Sequence, residues 1–212
     1  MGAHPPRPTT ATDELGSTVL GVAVRDTAWF RRIDREVSLP PGTPAPQLLR
    51  VPAPEAQRIL RTTVRLVADI PRGSSPDVVW VDGGSELLVH TAAIELSCLP
   101  GLVTVTLRVR CDQLREDAPI HVPLGVGTAK TPTGLVMSTL ARPDGPDLVI
   151  DVWSAALTAF AWEALVHLAQ SLCAASGADA TGRALVPGYI GAERNVLLIQ
   201  PVAPHQITRS RT

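Results

Sequence analysis

The sequence predicts an α+β fold: an antiparallel β-meander sheet with one apolar face covered by a long C-terminal helix, preceded by short N-terminal helices and a disordered N-terminus. Two observations predict this class. Between residues 77 and 126, apolar and polar residues alternate with a period of two, which is typical of strands with one buried face. Between residues 154 and 177 the spacing becomes helical, and apolar residues occupy most of the circumference.

The chain has 212 residues, of which 45% are hydrophobic, so it can bury a large core without disulfides or metals. Residues 1–16 are rich in proline and threonine and are expected to form a disordered tail. Residues 17–212 are expected to form a single α+β domain. Within it, the prolines of residues 38–54 predict an extended arm or linker, which packs either on its own domain or on a neighbour.

Before residue 77 the sequence predicts one strand and two helices. Alternation over residues 17–25 predicts the strand, and Asp26 is expected to cap a short helix that continues to residue 37. Pro54 suits the first turn of the second helix, which must end before Pro71. The face of that helix expected to be buried carries Ala56, Ile59, Leu60, Thr63, Val64 and Val67.

Strands are predicted at residues 77–82, 86–98 and 102–113, with turns at Gly83-Gly84 and at Pro100-Gly101. In the second hairpin, residues whose numbers sum to 201 are expected to pair, because this register separates an apolar face from a polar face. The same register places His90 opposite Cys111. Pro-Gly favours a type II turn, whose twist suits a two-residue hairpin poorly, so a four-residue loop is expected.

Four further strands and the long helix are predicted in the rest of the chain. Residues 120–126 and 195–202 are predicted strands, and residues 134–141 and 148–152 are expected to form a hairpin around a Pro-Asp-Gly turn. Ser154 is the predicted N-cap of the long helix and Gly177 its C-cap. The main apolar stripe of this helix is Leu157, Phe160, Ala161, Ala164, Leu165, Leu168 and Leu172.

A second apolar stripe on the long helix consists of Trp162, Val166, Ala169 and Cys173. A helix of this kind needs cover on two sides, from the sheet plus another element or from the sheet plus a second subunit. The second stripe is therefore the predicted interface. The helix is also near the length of a membrane span, but the polar strip that includes Glu163, His167 and Gln170 argues against one.

Composition excludes several function classes. The net charge of −1 provides no field that would draw the chain to nucleic acid or to an anionic membrane. Three cysteines without CxxC spacing, and no basic-then-apolar leader, predict a cytoplasmic protein with reduced thiols. Lys130 is the sole lysine among many arginines, which indicates a high-GC bacterium or phage.

Few residues point to chemistry, and no cofactor or metal site is predicted. The glycine-rich residues 125–131 lack the glycine that a phosphate loop needs directly before its lysine, since Ala129 stands there. Lys130 itself could form a Schiff base if it were desolvated. His90 and Cys111, if opposed, would have the arrangement of a cysteine hydrolase, but on an apolar face they are expected to be core residues.

Two pairs of titratable residues complete the candidates. Glu163 and His167 are four apart on the long helix and form a plausible helix-face pair, without the pattern of a metal site. Asp147 and Asp151 share one face of a predicted strand, where paired carboxylates serve acid–base chemistry or simply a solvated face.

Three function classes remain open. The preferred expectation is a non-catalytic interaction or assembly protein, an oligomer subunit or adaptor that binds itself or another protein. The very apolar helix, the proline-rich arm and the lack of a catalytic constellation favour it. A curved sheet with a helix on its apolar face could instead enclose a small apolar ligand. The third class is an enzyme with a dispersed site, whose candidates are His90, Cys111, Lys130, Glu163 and His167.

Overall fold

The structure, a computed structural model, describes residues 35–37, 48–68, 77–82, 84–135, 137–139, 141–204 and 207–209. Nine strands and two helices lie within these residues. In chain order they are β1 (Arg35–Val37), β2 (Leu49–Pro52), α1 (Ala53–Val67), β3 (Asp77–Asp82), β4 (Ser85–Leu99), β5 (Leu102–Arg110), β6 (Ala118–Gly125), α2 (Asp147–Ser176), β7 (Val186–Glu193), β8 (Val196–Val202) and β9 (Ile207–Arg209).

The strands form two antiparallel sheets and a ribbon. Strands β3, β4, β5 and β6 make a four-stranded meander in chain order. Strands β2, β8 and β7 make a three-stranded sheet in that spatial order, and β1 pairs with β9. The predicted α+β class with an antiparallel meander and a long C-terminal helix is confirmed.

The long helix packs over the inner face of the four-stranded sheet, as predicted. Phe160 on α2 meets Trp80 on β3 edge to face, with ring centroids 5.2 Å apart. Trp153, the residue directly before the predicted N-cap, lies beside the same indole with centroids 6.2 Å apart. Such aromatic contacts add to the energy of burying the rings themselves. The inner face is closely packed, since Leu87, Val105 and their inward neighbours are fully buried.

The chain itself supplies the second cover that α2 requires. Helix α2 packs against α1 and against strands β6, β7 and β8. Trp162 is 1% exposed, and Val166, Ala169 and Cys173 are 0% exposed. These four side chains, proposed from the sequence as an interface, are thus core residues here, and they offer no surface to a second subunit. The sequence left open whether α2 is covered by another element of the same chain or by a second subunit. In the structure, elements of the same chain cover it.

The β4–β5 hairpin follows the predicted register only near its turn. Glu95 pairs with Thr106 and Cys98 with Val103, as the sum of 201 requires. The register then shifts between His90 and Glu95, so that His90 pairs with Arg108. Beyond the shift, the prediction that His90 opposes Cys111 is wrong.

Helix α1 contacts β4 at this shift. The Arg61 side chain donates from Nε to the carbonyl of Ile94, and the Gln57 side chain accepts a hydrogen bond from the amide of Leu96. These two bonds satisfy backbone groups of β4 from beside the strand. A β-bulge leaves residues unpaired and bends the strand, and contacts from a distant helix are not visible in local periodicity.

The turn of this hairpin is tighter than predicted. Leu99 pairs with Leu102, which leaves Pro100 and Gly101 as a two-residue turn rather than a four-residue loop. Gly101 adopts a φ of +74°, which glycine allows without strain. Tertiary hydrogen bonds hold the turn, because Gly101 donates to the carbonyl of Ala192 and accepts from the amide of Val126.

The third predicted hairpin does not exist. Residues 148–152 belong to the first turns of α2, which begins at Asp147 rather than after Ser154. The chain before it runs beside β6 through isolated bridges, such as His121 with Asp144. Consequently Asp147 and Asp151 are exposed helix residues four apart, not strand neighbours, and Asp151 forms an ion pair with Arg142.

Strand β7 was not predicted, because its sequence contains proline and two glycines. The Tyr189 ring lies over two glycines, Gly127 and Gly191. A Cβ on Gly191 would stand 1.9 Å from the tyrosine oxygen, so only glycine fits there. This close approach joins the loop after β6 to the three-stranded sheet, with Ala192 donating to the carbonyl of Gly127.

The N-terminal predictions are only partly covered by the described residues. Residues 17–25 and most of the predicted helix 26–37 lie outside them, as does the tail at residues 1–16. The last three residues of that helix are strand β1 instead, since they pair with β9. At the end of the predicted arm, Leu49–Pro52 form β2, which pairs with β8.

Within the described residues, α2 is long and apolar enough to cross a membrane by length and composition alone. However, 67% of its most apolar window is buried inside the fold. Most of this window therefore lies in the core of the fold.

Candidate functional site on the outer face of the sheet

The four-stranded sheet has an outer face, on the side away from α2, whose side chains are half-exposed or exposed. Alternation along each strand places these residues opposite the buried set that includes Trp80 and Leu87. The outer face comprises Asp77, Val79, Val81, Glu86, Leu88, His90, Glu95, Ser97, Thr104, Thr106, Arg108, Arg110, Pro119, His121 and Pro123. It is mixed in character, with aliphatic, hydroxyl and charged groups of both signs.

A charged cluster lies where β3, β4 and β5 meet the loop before β6. The Nδ1 atom of His90 is 3.0 Å from Oδ1 of Asp77, and its Nε2 atom is 3.3 Å from Oδ2 of Asp117. Arg110 donates from Nε to Oδ1 of Asp117 at 2.6 Å. This hydrogen bond, helped by the nearby charge of His90, holds the pKa of Asp117 below its usual value.

The surroundings of His90 do not form the pair with Cys111 that the sequence suggested. Its Nδ1 atom hydrogen-bonds Asp77, its Nε2 atom lies near Asp117 without a hydrogen bond, and Arg108 rather than Cys111 pairs with it across the strands. The side chain of His90 is 19% exposed, which is neither the full burial expected from the sequence nor a freely solvated site. We interpret the cluster as polar contacts of His90 together with the Arg110–Asp117 ion pair, which tie three strands to one loop.

A groove of about 400 Å³ lies beside this cluster, and Arg110 belongs to both. Its apolar lining residues are Val79, Leu88 and Leu114. Its other lining residues are Glu86, Arg110, Cys111, Asp112 and Arg115. The groove thus presents two acidic and two basic side chains around aliphatic groups. This volume falls within the range of sites that bind ligands or partner side chains.

Three of these four charged side chains form no ion pair with any residue that the structure describes. Glu86, Asp112 and Arg115 are exposed, and within the described parts of the chain none of them forms an ion pair. Arg110 differs, because its guanidinium is already bonded to Asp117. The groove therefore has charged groups of both signs available to a binding partner.

The remaining candidates from the sequence lie elsewhere and do not line this groove. Lys130 is exposed at the tip of a small loop that Thr128 and Thr131 close through reciprocal backbone hydrogen bonds. Glu163 and His167 are half-buried on α2, and neither side chain has a hydrogen-bond partner in the described part of the chain. Burial raises the pKa of Glu163 to about 7 and lowers that of His167.

The cysteines separate into two kinds. Burial raises the pKa of Cys98 to about 11 and that of Cys173 to about 12, so both remain thiols at neutral pH. Cys111 is half-buried and lines the groove. Among the residues that the structure describes, no group of three or more His, Cys, Asp or Glu side chains is arranged to hold a metal ion.

Sequence reasoning missed Asp77, Arg110, Asp117 and Arg115 as site residues. The predicted register of the second hairpin places Arg108 and Arg110 on the polar face, and this was the one sequence feature that pointed to a charged site on that face. Asp117 and Arg115 lie in a loop, whose position relative to the sheet no periodicity reveals.

No family model, curated protein or solved structure matches the chain. Its function must therefore be inferred from its own geometry.

The His90–Asp77 contact is expected to be a stabilising hydrogen bond. A double-mutant cycle of His90→Ala and Asp77→Ala should give a coupling free energy of about 0.5–1.5 kcal/mol in urea unfolding. The matched control is the exposed bond between Thr106 and His121, at 2.9 Å. Its coupling should be smaller, because exposed groups exchange readily with water. Equal couplings would contradict a stabilising role specific to the His90 cluster.

Proposed function

We propose that this chain is a cytoplasmic, non-catalytic interaction or assembly protein and that the outer face of the four-stranded sheet is its contact surface. The observation that carries the proposal is the groove, where charged groups of both signs, without ion pairs in the described part of the chain, surround Val79, Leu88 and Leu114. A binding surface needs both features, since apolar groups supply contact energy and charges supply orientation.

The composition of the outer face supports a surface that is exposed to solvent in the free protein and is buried only when a partner binds. Such interfaces are about as apolar as the rest of a protein surface, and they are enriched in arginine. Three arginines, at positions 108, 110 and 115, are exposed on or beside this face. The apolar stripes of α2, by contrast, are already buried in the core and no longer favour α2 as the interface.

A small apolar ligand remains the alternative, and the same groove is a location for it among the described residues. Between the sheet and α2 the inward side chains belong to one buried hydrophobic cluster, which favours the groove over this layer as the place of a ligand. A bound small molecule would therefore appear as extra mass on a monomer, whereas assembly would appear as a defined oligomer.

Native mass spectrometry of the full-length chain tests the proposal. Wild type is expected to form a defined oligomer as concentration rises, and Leu88→Arg is expected to weaken association about 30-fold or more. The reason is that an unpaired guanidinium buried at an interface costs at least about 2 kcal/mol.

The matched control is Leu148→Arg, the same substitution at the exposed start of α2, where Leu148 is 39% exposed. This variant should associate like wild type. If Leu148→Arg dissociates the oligomer and Leu88→Arg does not, the outer face is not the contact surface. Circular dichroism of both variants verifies that they are folded.

A further inference from the structure

We infer that the groove binds a second copy of this chain across a twofold axis, with Glu86 of each copy paired to Arg115 of the other. This inference rests on the proposed function, because it names the partner of the same surface. A twofold interface uses one patch twice, so the patch must complement itself in both charge and shape.

The charges of the groove meet this requirement. Two acidic residues, Glu86 and Asp112, and two basic residues, Arg110 and Arg115, line the same groove. A patch with one sign of charge would repel its own copy, whereas a patch with both signs can place each charge opposite its complement. The net charge of the whole chain is only −1, so two copies experience little overall repulsion.

Within this set, Glu86 and Arg115 are the pair best suited to an intermolecular contact. Both are exposed and neither forms an ion pair within the described residues. They belong to different segments, since Glu86 lies at the start of β4 and Arg115 lies in the loop between β5 and β6. A twofold axis through the groove exchanges these two segments between copies, so one pairing is formed twice.

The aliphatic residues of the groove supply the centre of the contact. Val79 and Leu88 pair directly across β3 and β4, and Leu114 reaches the same groove from the loop after β5. Apolar residues at the centre and charges at the rim are the usual arrangement of an interface.

The size of the face is adequate for a reversible dimer. Four strands at their usual spacing span roughly 19 Å, and the 9 residues of β5 span roughly 30 Å, which gives roughly 550 Å². The loop at residues 111–117 extends this area toward the roughly 800 Å² per partner of a standard interface.

A charge-exchange experiment tests the pairing. Glu86→Arg and Arg115→Glu are made separately in the full-length chain, and each alone is expected to be monomeric, because the twofold contact then opposes like charges twice. An equimolar mixture is expected to form the heterodimer, in which both pairs again have opposite signs. Native mass spectrometry separates this species from either homodimer, and unchanged thermal unfolding of each variant excludes a folding defect.

Three results would overturn the inference. Wild type that stays monomeric at every concentration would exclude a second copy as the partner. A wild-type dimer that Leu88→Arg dissociates, with no heterodimer from the charge-exchanged mixture, would exclude the Glu86–Arg115 pairing but leave the outer face as the contact surface. A dimer insensitive to Leu88→Arg would instead refute the proposed surface itself.

Discussion

Trp162→Ala should destabilise the protein by about 3–5 kcal/mol, the range for removing a large aromatic side chain from a core. Trp162 is 1% exposed on the stripe of α2 that the sequence assigned to an interface. If the chain covers this stripe by itself, the loss must appear in the monomer and must not depend on protein concentration. Urea unfolding of dilute protein, followed by circular dichroism, measures it.

Two controls on Trp162 sharpen this test. Val152→Ala, on the same helix but 50% exposed, should change the free energy of unfolding by less than about 0.5 kcal/mol. Trp162→Phe should cost much less than Trp162→Ala, because the indole Nε1 atom is buried without a hydrogen-bond partner, and phenylalanine removes this unsatisfied group. A concentration-dependent loss in Trp162→Ala would show that this stripe is covered by another subunit.

Glu163→Gln should stabilise the protein at pH 8 by up to about 3 kcal/mol. Burial raises the pKa of Glu163 from 4.5 to about 7, so between these values the folded chain holds a proton that the unfolded chain releases. The contribution of Glu163 to stability is thus fully present below pH 4.5 and is lost as the pH rises to about 7. A shift of this size corresponds to about 3 kcal/mol.

The measurement is urea unfolding of wild type and Glu163→Gln across this pH range. The two should converge near pH 4 and diverge toward pH 8. His167 acts in the opposite direction, because burial lowers its pKa and its contribution to stability falls as the pH drops through 6.5. Both proteins are therefore compared in a His167→Gln background. Parallel curves in that background would show that Glu163 is not held protonated by the fold.

Neither proposal depends on Trp162, Glu163 or His167. Experiments on these residues and experiments on the outer face can therefore be interpreted separately. Glu163, His167 and Trp162 report on the core, whereas Glu86, Leu88 and Arg115 report on the outer face. Substitutions of Glu163, His167 or Trp162 should change the free energy of unfolding. They should not change assembly when it is measured on fully folded protein. Substitutions in the second set should change assembly with little effect on stability, because surface changes rarely exceed about 0.5 kcal/mol.

The local periodicity of apolar residues was sufficient to predict the helices and strands that neighbouring elements do not bend. Helix α1 has the predicted buried face, with Ala56, Leu60 and Val64 fully buried, because a long amphipathic repeat admits one arrangement. The meander of β3 to β6 was also predictable, since strict alternation specifies which side chains turn inward. The polar side of that alternation is the outer face, so its existence, though not its groove, followed from the sequence.

Periodicity was insufficient for short or irregular segments. Residues 148–152 form an apolar run of a length that suits a strand or a buried helix equally, and the packing of Val149, Ile150 and Trp153 into the core selects the helix. Strand β7 was hidden by its proline and glycines, and one of these, Gly191, is required by the close approach of the Tyr189 ring rather than by local preference.

The amino-acid sequence alone thus specified the α+β class, the inward and outward sides of the meander and the need of α2 for cover on two sides, because each depends on residues close in the chain. Only the tertiary structure decided what covers α2, where His90 points and which charges share the groove. These depend on contacts between distant segments: α1 beside the β4 bulge, the loop after β5 against the sheet, and α2 against α1 and the second sheet. The register shift in β4 places Arg108, rather than Cys111, opposite His90, and no local sequence pattern predicts this shift.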